Sequence, residues 1–134
     1  MEIREYENYS EKEILELYKS VGWISYTEDP EKLKKGFENS LSVLAAYEND
    51  SLLGIIRVCG DGETIVYIQD ILVFPEYQRQ GVGTCLAKAI ISKFESVRQI
   101  VLITDSTEKT VSFYRSLGFG KLEDAGCCGF MLQK

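Results

Sequence analysis

The 134-residue sequence predicts an α/β protein of the α+β kind, a mixed sheet with helices on both faces, in the order β-α-α-β-β-β-α-β-α-β-β. Three observations carry this prediction. Residues 41–45 alternate apolar and polar, and residues 52–59 and 64–73 are rich in branched side chains, which is strand patterning. Residues 14–21 and 82–94 return apolar side chains at helical spacing. Strands meander first and alternate with helices later, the arrangement of a mixed sheet covered on both sides.

Each element has a local reason. Residues 2–7 read as a short strand, and Ser10 with Glu13 makes a capping box for a helix carrying Ile14, Leu17, Tyr18 and Val21, which Gly22 ends. Asp29 as N-cap and Pro30 at the first helical position open a second helix that runs to about Asn39. Leu41, Val43 and Ala45 alternate, Asn49-Asp50 marks a turn, and Leu52 to Cys59 returns, so the pair is a hairpin. The turn Gly60-Asp61-Gly62 leads to a third strand from about Thr64 to Val73, and residues 74–80 are a polar loop. Val82, Cys85, Leu86, Ala89, Ile90 and Phe94 trace one face of a helix. Ile100-Val101-Leu102-Ile103 has no alternation, which predicts burial on both faces in a parallel pairing at the sheet centre. A last helix from about Thr107 to Leu117 stops at Gly118, and short strands at 119–124 and 127–133 are expected to finish the chain.

Composition narrows the chemistry. Fifteen Lys+Arg against twenty-one Asp+Glu give a formal charge of −6 and argue against nucleic-acid binding, which needs a clustered basic surface. No apolar run has membrane-spanning length and the N-terminus lacks an apolar signal region, so a cytoplasmic protein without membrane attachment is expected. With no histidine, Ser-His-Asp and Cys-His catalysis are excluded and acid–base work falls to Asp, Glu, Tyr, Lys or Cys. Cys59, Cys85, Cys127 and Cys128 show no zinc spacing, and adjacent cysteines do not bridge easily, so no metal and four reduced thiols acting as small apolar side chains are expected.

Gln78-Arg79-Gln80-Gly81-Val82-Gly83-Thr84 lies between a strand and a helix, where the first-turn amides have no intrahelical partner and an anion can bind. Gly81 and Gly83 allow close approach of a phosphate. A dinucleotide fingerprint would need glycine where Leu86 stands, and a nucleoside-triphosphate loop needs Gly-Lys-Ser/Thr, which is absent. The stretch from Asp70-Ile71-Leu72-Val73-Phe74-Pro75 through Gln78-Arg79-Gln80-Gly81-Val82-Gly83, followed by Phe113-Tyr114-Arg115-Ser116-Leu117-Gly118-Phe119, resembles the GNAT superfamily of N-acetyltransferases. The first segment is similar to its acetyl-CoA signature and the second to its Phe-Tyr-x-x-x-Gly-Phe motif. The element order matches that family over nearly the whole chain.

The resemblance implies a GNAT-like acyl-CoA N-acyltransferase fold forming a single domain over residues 1–134, with acetyl-CoA as cofactor and no metal. It places Gln78, Arg79, Gln80, Gly81, Val82, Gly83 and Thr84 at the pyrophosphate, and the main chain of Ile71 and Val73 against the pantetheine arm as an added strand. Tyr114 corresponds to the tyrosine that protonates the departing thiolate. With about 10 for a phenol against about 8.5 for a thiol, full transfer is uphill by about 1.5 units, near 2 kcal/mol. Tyr114 therefore needs either coupling to collapse of the intermediate or a site that lowers its pKa. Thr107 stands where the family often has a coenzyme-contacting asparagine, and Gln69-Asp70 where many relatives have Glu-Asp. An amide cannot take a proton, and Asp70 is the nearest strand carboxylate, although alternation turns it away from Gln69, Ile71 and Val73 unless a bulge intervenes. Trp23, Tyr26, Tyr67 and Gln69 are the acceptor-pocket candidates, and a primary amine, an aryl or alkyl amine or polyamine, is the expected small-molecule acceptor. A non-catalytic acyl-CoA-binding module and a protein or peptide acetyltransferase are the alternatives, and assembly as a homodimer is left open.

Overall fold

The computed structural model describes residues 1–134, which divide into two units, Met1–Ile103 and Thr104–Lys134. The first contains β1 (Glu2–Glu5), α1 (Glu11–Ser20), α2 (Ile24–Thr27), α3 (Pro30–Glu38), β2 (Ser42–Glu48), β3 (Ser51–Gly60), β4 (Ile65–Val73), α4 (Val82–Lys93) and β5 (Gln99–Leu102). The second contains α5 (Glu108–Ser116) and a 3₁₀ turn at Leu122–Ala125. No helix is long and apolar enough to cross a membrane.

The helix starts follow from side-chain capping. Ser10 Oγ accepts from the Glu13 amide at 3.3 Å, and the box closes through Tyr6, whose hydroxyl donates to Glu13 at 3.0 Å and accepts from the Ser10 amide. Asp29 caps α3 by accepting from the Lys32 amide at 3.2 Å, with Pro30 in the first turn. The turn-like stretch after Gly22 contains the one-turn helix α2.

The sheet order is β1-β2-β3-β4-β5, antiparallel except for the parallel β4–β5 pair. Asn49 and Asp50, with φ of +49° and +67°, join β2 to β3 in a two-residue hairpin turn whose left-handed backbone matches strand twist. Val43, Ala45, Ile55 and Leu72 pack against Ile14, Leu17 and Tyr18 of α1 and Leu33 and Phe37 of α3. Helix α4 covers the other face with buried Val82, Leu86, Ala87 and Ile90. Cover on both faces buries every residue from Leu52 to Val58.

Two features of β4 shape the site. Arg57 pairs with Asp70 and the next residue, Val58, with Ile68, so Gln69 is an extra residue and β4 bulges there. Toward β5, the pairing covers only Ile65 to Ile68. Past Ile68 the two strands part, leaving the β5-facing edge of residues 69–73 without a strand neighbour.

Three expectations are corrected. β5 is the sheet edge and only half-buried, with Ile103 beyond it 58% exposed, because no further strand pairs with it. The strands expected at 119–124 and 127–133 do not form. Asp124 Oδ2 accepts from the Lys121 amide at 3.1 Å and the Cys127 amide returns to the Leu122 carbonyl at 2.9 Å, closing a turn that competes with extended backbone. All four cysteines are free thiols, but Cys127 and Cys128 are exposed instead of filling apolar space.

Gly54 tests the β3–β4 packing, since a Cβ there would collide with the Leu72 carbonyl and press on Val73. Gly54→Ala should lower stability by about 1–3 kcal/mol, the usual cost of overpacking, read as a lower midpoint in urea with an unchanged slope.

Candidate functional site

At the end of β4, Pro75–Tyr77 forms a 3₁₀ turn and the loop Gln78–Gly81 leads into α4. Arg79 has φ +64° and Gly81 φ +83°, so two left-handed residues alternate with Gln80 and curl the backbone into an amide-lined concavity. Arg79 holds this conformation without glycine's freedom, at a cost characteristic of functional loops. No side chain caps α4, and its first bond runs from the Cys85 amide to the Gly81 carbonyl at 3.0 Å. The amides of Val82, Gly83 and Thr84 precede that bond at the positive end of a twelve-residue helix.

The glutamine side chains of the loop have other partners. Gln78 Nε2 donates to the Val73 carbonyl at 3.0 Å and Gln80 Nε2 to the Glu76 carbonyl at 3.1 Å, so both brace the loop and leave anion binding to main-chain amides. Ile71 and Val73 lie on the open stretch of β4, half-buried. An open strand edge running into uncapped helix amides fits a ligand with an extended amide-bearing arm and a phosphate end, which is the shape of coenzyme A.

The bulge is the exception that alternation left open for Asp70, and it changes its placing only relative to Gln69. Paired residues share a face, so Asp70 sits with Arg57 on the α1–α3 side, beside Gln69 and opposite Ile71 and Val73. The Asp70 side chain is wholly shielded; its Oδ2 accepts from Arg57 Nε at 2.8 Å and from the Tyr18 hydroxyl at 2.6 Å. Oδ1 is buried without a partner. Arg57 Nη1 reaches Ser40 Oγ at 3.2 Å and its guanidinium lies 5.3 Å over the Phe37 ring. Burial is the largest single influence and would lower the Arg57 pKa, but the Asp70 charge, Tyr18 and the hydrogen bonds to both together outweigh it and raise it. Burial and then the Asp70 charge push the Tyr18 phenol well above its usual value, so it stays a donor.

Gln69 Nε2 donates to the Tyr26 hydroxyl oxygen at 3.0 Å. The rings of Trp23 and Tyr26 stack with centroids 5.8 Å apart at 23°, and Tyr18 packs on both, at 6.2 Å and 5.3 Å. Trp23 keeps 36% of its surface in solvent. Burial and then Asp70 raise the Tyr26 pKa, so it too is a neutral phenol. Of the acceptor candidates, Trp23, Tyr26 and Gln69 form one corner; Tyr67, half-buried on the same face of β4, makes no side-chain hydrogen bond. Tyr18, Arg57 and Ser40 are the members that sequence reasoning missed. The signal was present in Arg57, a lone charge inside the apolar run Leu52–Cys59, which requires a buried partner.

In the second unit, Thr107 is the N-cap of α5: its Oγ1 accepts from the Thr110 amide at 3.4 Å and donates to Asp105 at 2.6 Å. Asp105, held by the Thr107 hydroxyl and amide, has a lowered pKa. Tyr114 packs edge-on against Phe113 at 5.0 Å and Phe119 at 5.7 Å. Burial, then the Asp105 charge, raises its pKa. Its surroundings therefore do not lower the phenol's pKa, so an acid role for Tyr114 would call on transfer coupled to collapse of the intermediate.

Comparison with known proteins agrees with this geometry. A family model described as an acetyltransferase (GNAT) domain matches residues 5–128. The solved structure of the GNAT family acetyltransferase SP0256 from Streptococcus pneumoniae TIGR4 is 38% identical, covers 99% of this chain and 97% of its own, and superposes with a TM-score of 0.88. Uncharacterized N-acetyltransferases ycf52 of Gracilaria tenuistipitata var. liui and ycf52-like of Prochlorococcus marinus are 32% and 30% identical over 75% and 88% of this chain. The chain spans 56% and 67% of those two relatives' lengths. With the open β4 edge and the uncapped α4 amides at the positions of the motif, the chain belongs to the GNAT acetyltransferase family.

Proposed function

We propose that the chain transfers an acetyl group from acetyl-CoA to a primary amine, with a small aryl or alkyl amine or a polyamine as the favoured acceptor. The observation that carries the reading is the open stretch of β4, residues 69–73, leading directly into the uncapped amides of α4. Bound there, acetyl-CoA supplies the acetyl group as a thioester open to direct attack by the amine. Main-chain groups of Ile71 and Val73 hold the arm; amides from Arg79 to Thr84 hold the phosphates, with Arg79 adding charge at the loop's surface. By the family resemblance, Tyr114 is the residue that would give its hydroxyl proton to the departing sulfur, and Thr107 the one that would offer the coenzyme a hydroxyl oxygen.

Proton removal from the amine has no dedicated base in this reading. Gln69 is an amide, and Asp70 is sealed behind Tyr18 and Arg57. The expected role of Asp70 as a carboxylate steering water is therefore replaced by a structural one, and solvent takes the proton. Neutral alkyl amine is present about once in 2500 molecules at pH 7, a cost of about 4.6 kcal/mol for a pKa near 10.4.

Steady-state release of free thiol with a panel of amines and peptides tests the function: turnover with small amines is expected, coenzyme binding without turnover would indicate a binding module, and better turnover with peptides a protein acetyltransferase. Gly83→Val should set a branched side chain against the phosphates and weaken acetyl-CoA binding by at least roughly tenfold in calorimetry. Unchanged affinity in a folded variant would remove the pyrophosphate assignment. Tyr114→Phe keeps the ring and should leave the melting temperature nearly unchanged while turnover falls on the order of 10²–10⁴. The value of kcat/KM should rise with pH as neutral amine accumulates, along a limb whose midpoint follows the acceptor's own pKa. Because the Tyr114 pKa is raised, its acid form persists upward, and any alkaline decline from its ionisation should lie above about 10.

A further inference from the structure

We propose that Asp70 is a positioning residue: gripped by Arg57 and Tyr18, it fixes the Trp23–Tyr26–Gln69 corner as the receiving site for a primary amine on an aryl or alkyl group. The inference rests on the amine-acetylating function proposed above and assigns a part of that site.

The contacts form a closed circuit. The bulge sets Gln69 and Asp70 side by side on one face of β4. Asp70 Oδ2 takes the Tyr18 hydroxyl at 2.6 Å, tying α1 to β4. The Tyr18 ring packs on Tyr26 at 5.3 Å, and Tyr26 returns to β4 by accepting from Gln69 Nε2 at 3.0 Å. A shift at any member moves the others. Arg57, which could also have been an exposed cation, is 6% exposed and engaged by Asp70 and Ser40, so it does not repel an ammonium at the corner.

The circuit also sets the polarity that the corner presents. Gln69 uses its amide nitrogen on Tyr26, which leaves its carbonyl oxygen as a free acceptor. The Asp70 Oδ1 is buried without a partner, so the direct contact with a ligand falls to Gln69. Trp23 and Tyr26 contribute stacked aromatic faces, one of them 36% open to solvent, that attract a cationic amine and pack against an aryl or methylene chain. An N–H donor with an apolar body fits this set, and an anionic acceptor does not.

Trp23 is the chain's single tryptophan, so its fluorescence reports this corner alone. In the full chain, titration with 2-phenylethylamine should give a saturable change in tryptophan emission, and 2-phenylethanol a much weaker one. Tyr18→Phe keeps the ring but removes the Tyr18 hydrogen bond to Asp70 Oδ2, leaving only the one from Arg57. It should raise the amine Kd by roughly three- to thirtyfold, the range expected for one member of a coupled network, while the acetyl-CoA Kd from calorimetry stays within about twofold. Tyr26→Phe, at a half-buried position that tolerates the change, should weaken the amine to a similar degree. The two effects should be less than additive in the double variant. An amine Kd unmoved by Tyr26→Phe, an equal loss of amine and acetyl-CoA affinity in Tyr18→Phe, or a fully additive double variant would overturn the positioning role, as would a wild-type emission that ignores the amine while acetyl-CoA binds. Amine binding with this mutational pattern but no thiol release supports the corner and removes only the catalytic reading.

Discussion

Asp70 and Arg57 face each other across β4 and β3 inside a sheet whose only other buried polar residue is Ser42, and the surrounding elements are arranged to satisfy that one ion pair. Removing one partner of such a pair costs about 3–5 kcal/mol, yet replacing both by well-packed apolar residues is often neutral. Its net worth to stability is therefore small, and its consequence is geometric. Arg57 has Asp70 as its only cross-strand carboxylate, so a one-residue slip of β4 would leave both charges buried and unpaired. The pair pins the bulge at Gln69. Helix α3 lies close to the pair at Gly36, where a Cβ would stand 3.3 Å from Arg57 Nη1. Ser40, just past that helix, then completes the guanidinium's bonding.

From the pinned bulge the two functions of β4 separate by direction. One face carries Gln69 and Asp70 toward the aromatic residues of α1 and α2. The edge beyond Ile68, freed by the departure of β5, offers the main chain. In the proposed reading neither use would compete with the other: side chains above the sheet would meet the acceptor, and backbone groups in its plane the coenzyme. The loop extends the same logic, since Gln78 and Gln80 brace the backbone and Arg79 accepts a left-handed conformation so that amides converge.

How much of this was legible depended on how local the cause was. Ser10, Asp29-Pro30 and Asn49-Asp50 determine their own neighbourhoods through caps and a turn, and the helices and hairpin stand where those residues put them. The Gly81-Val82-Gly83 loop was readable for the same reason. The bulge was not, because it exists in a register between strands and only Arg57, a charge in an apolar run, hinted at it. Ile100 to Ile103 shows the limit of periodicity: an unbroken apolar run states that a segment suits burial, not which neighbour covers it, and here β5 is an edge. The strand expected at 119–124 failed because Asp124 and Gly126 close a turn, a short-range cause that outcompetes extended backbone there.

If the Trp23–Tyr26–Gln69 corner receives the amine as proposed, the lack of a base beside it has a selective consequence. Shielded as it is, Asp70 cannot take up the proton that a lysine-like amine carries at pH 7, and Tyr18 and Tyr26 have pKa values raised so that both remain donors. Every acceptor must then arrive neutral or lose its proton to water. The cost is about 1.4 kcal/mol for each unit by which the amine's pKa exceeds the ambient pH. Such a site discriminates by basicity as well as by shape. Between two amines that stack equally well on Trp23 and Tyr26, the less basic one holds more of the reactive form, which favours amines whose nitrogen is weakened by a nearby aryl or electron-withdrawing group over simple alkylamines.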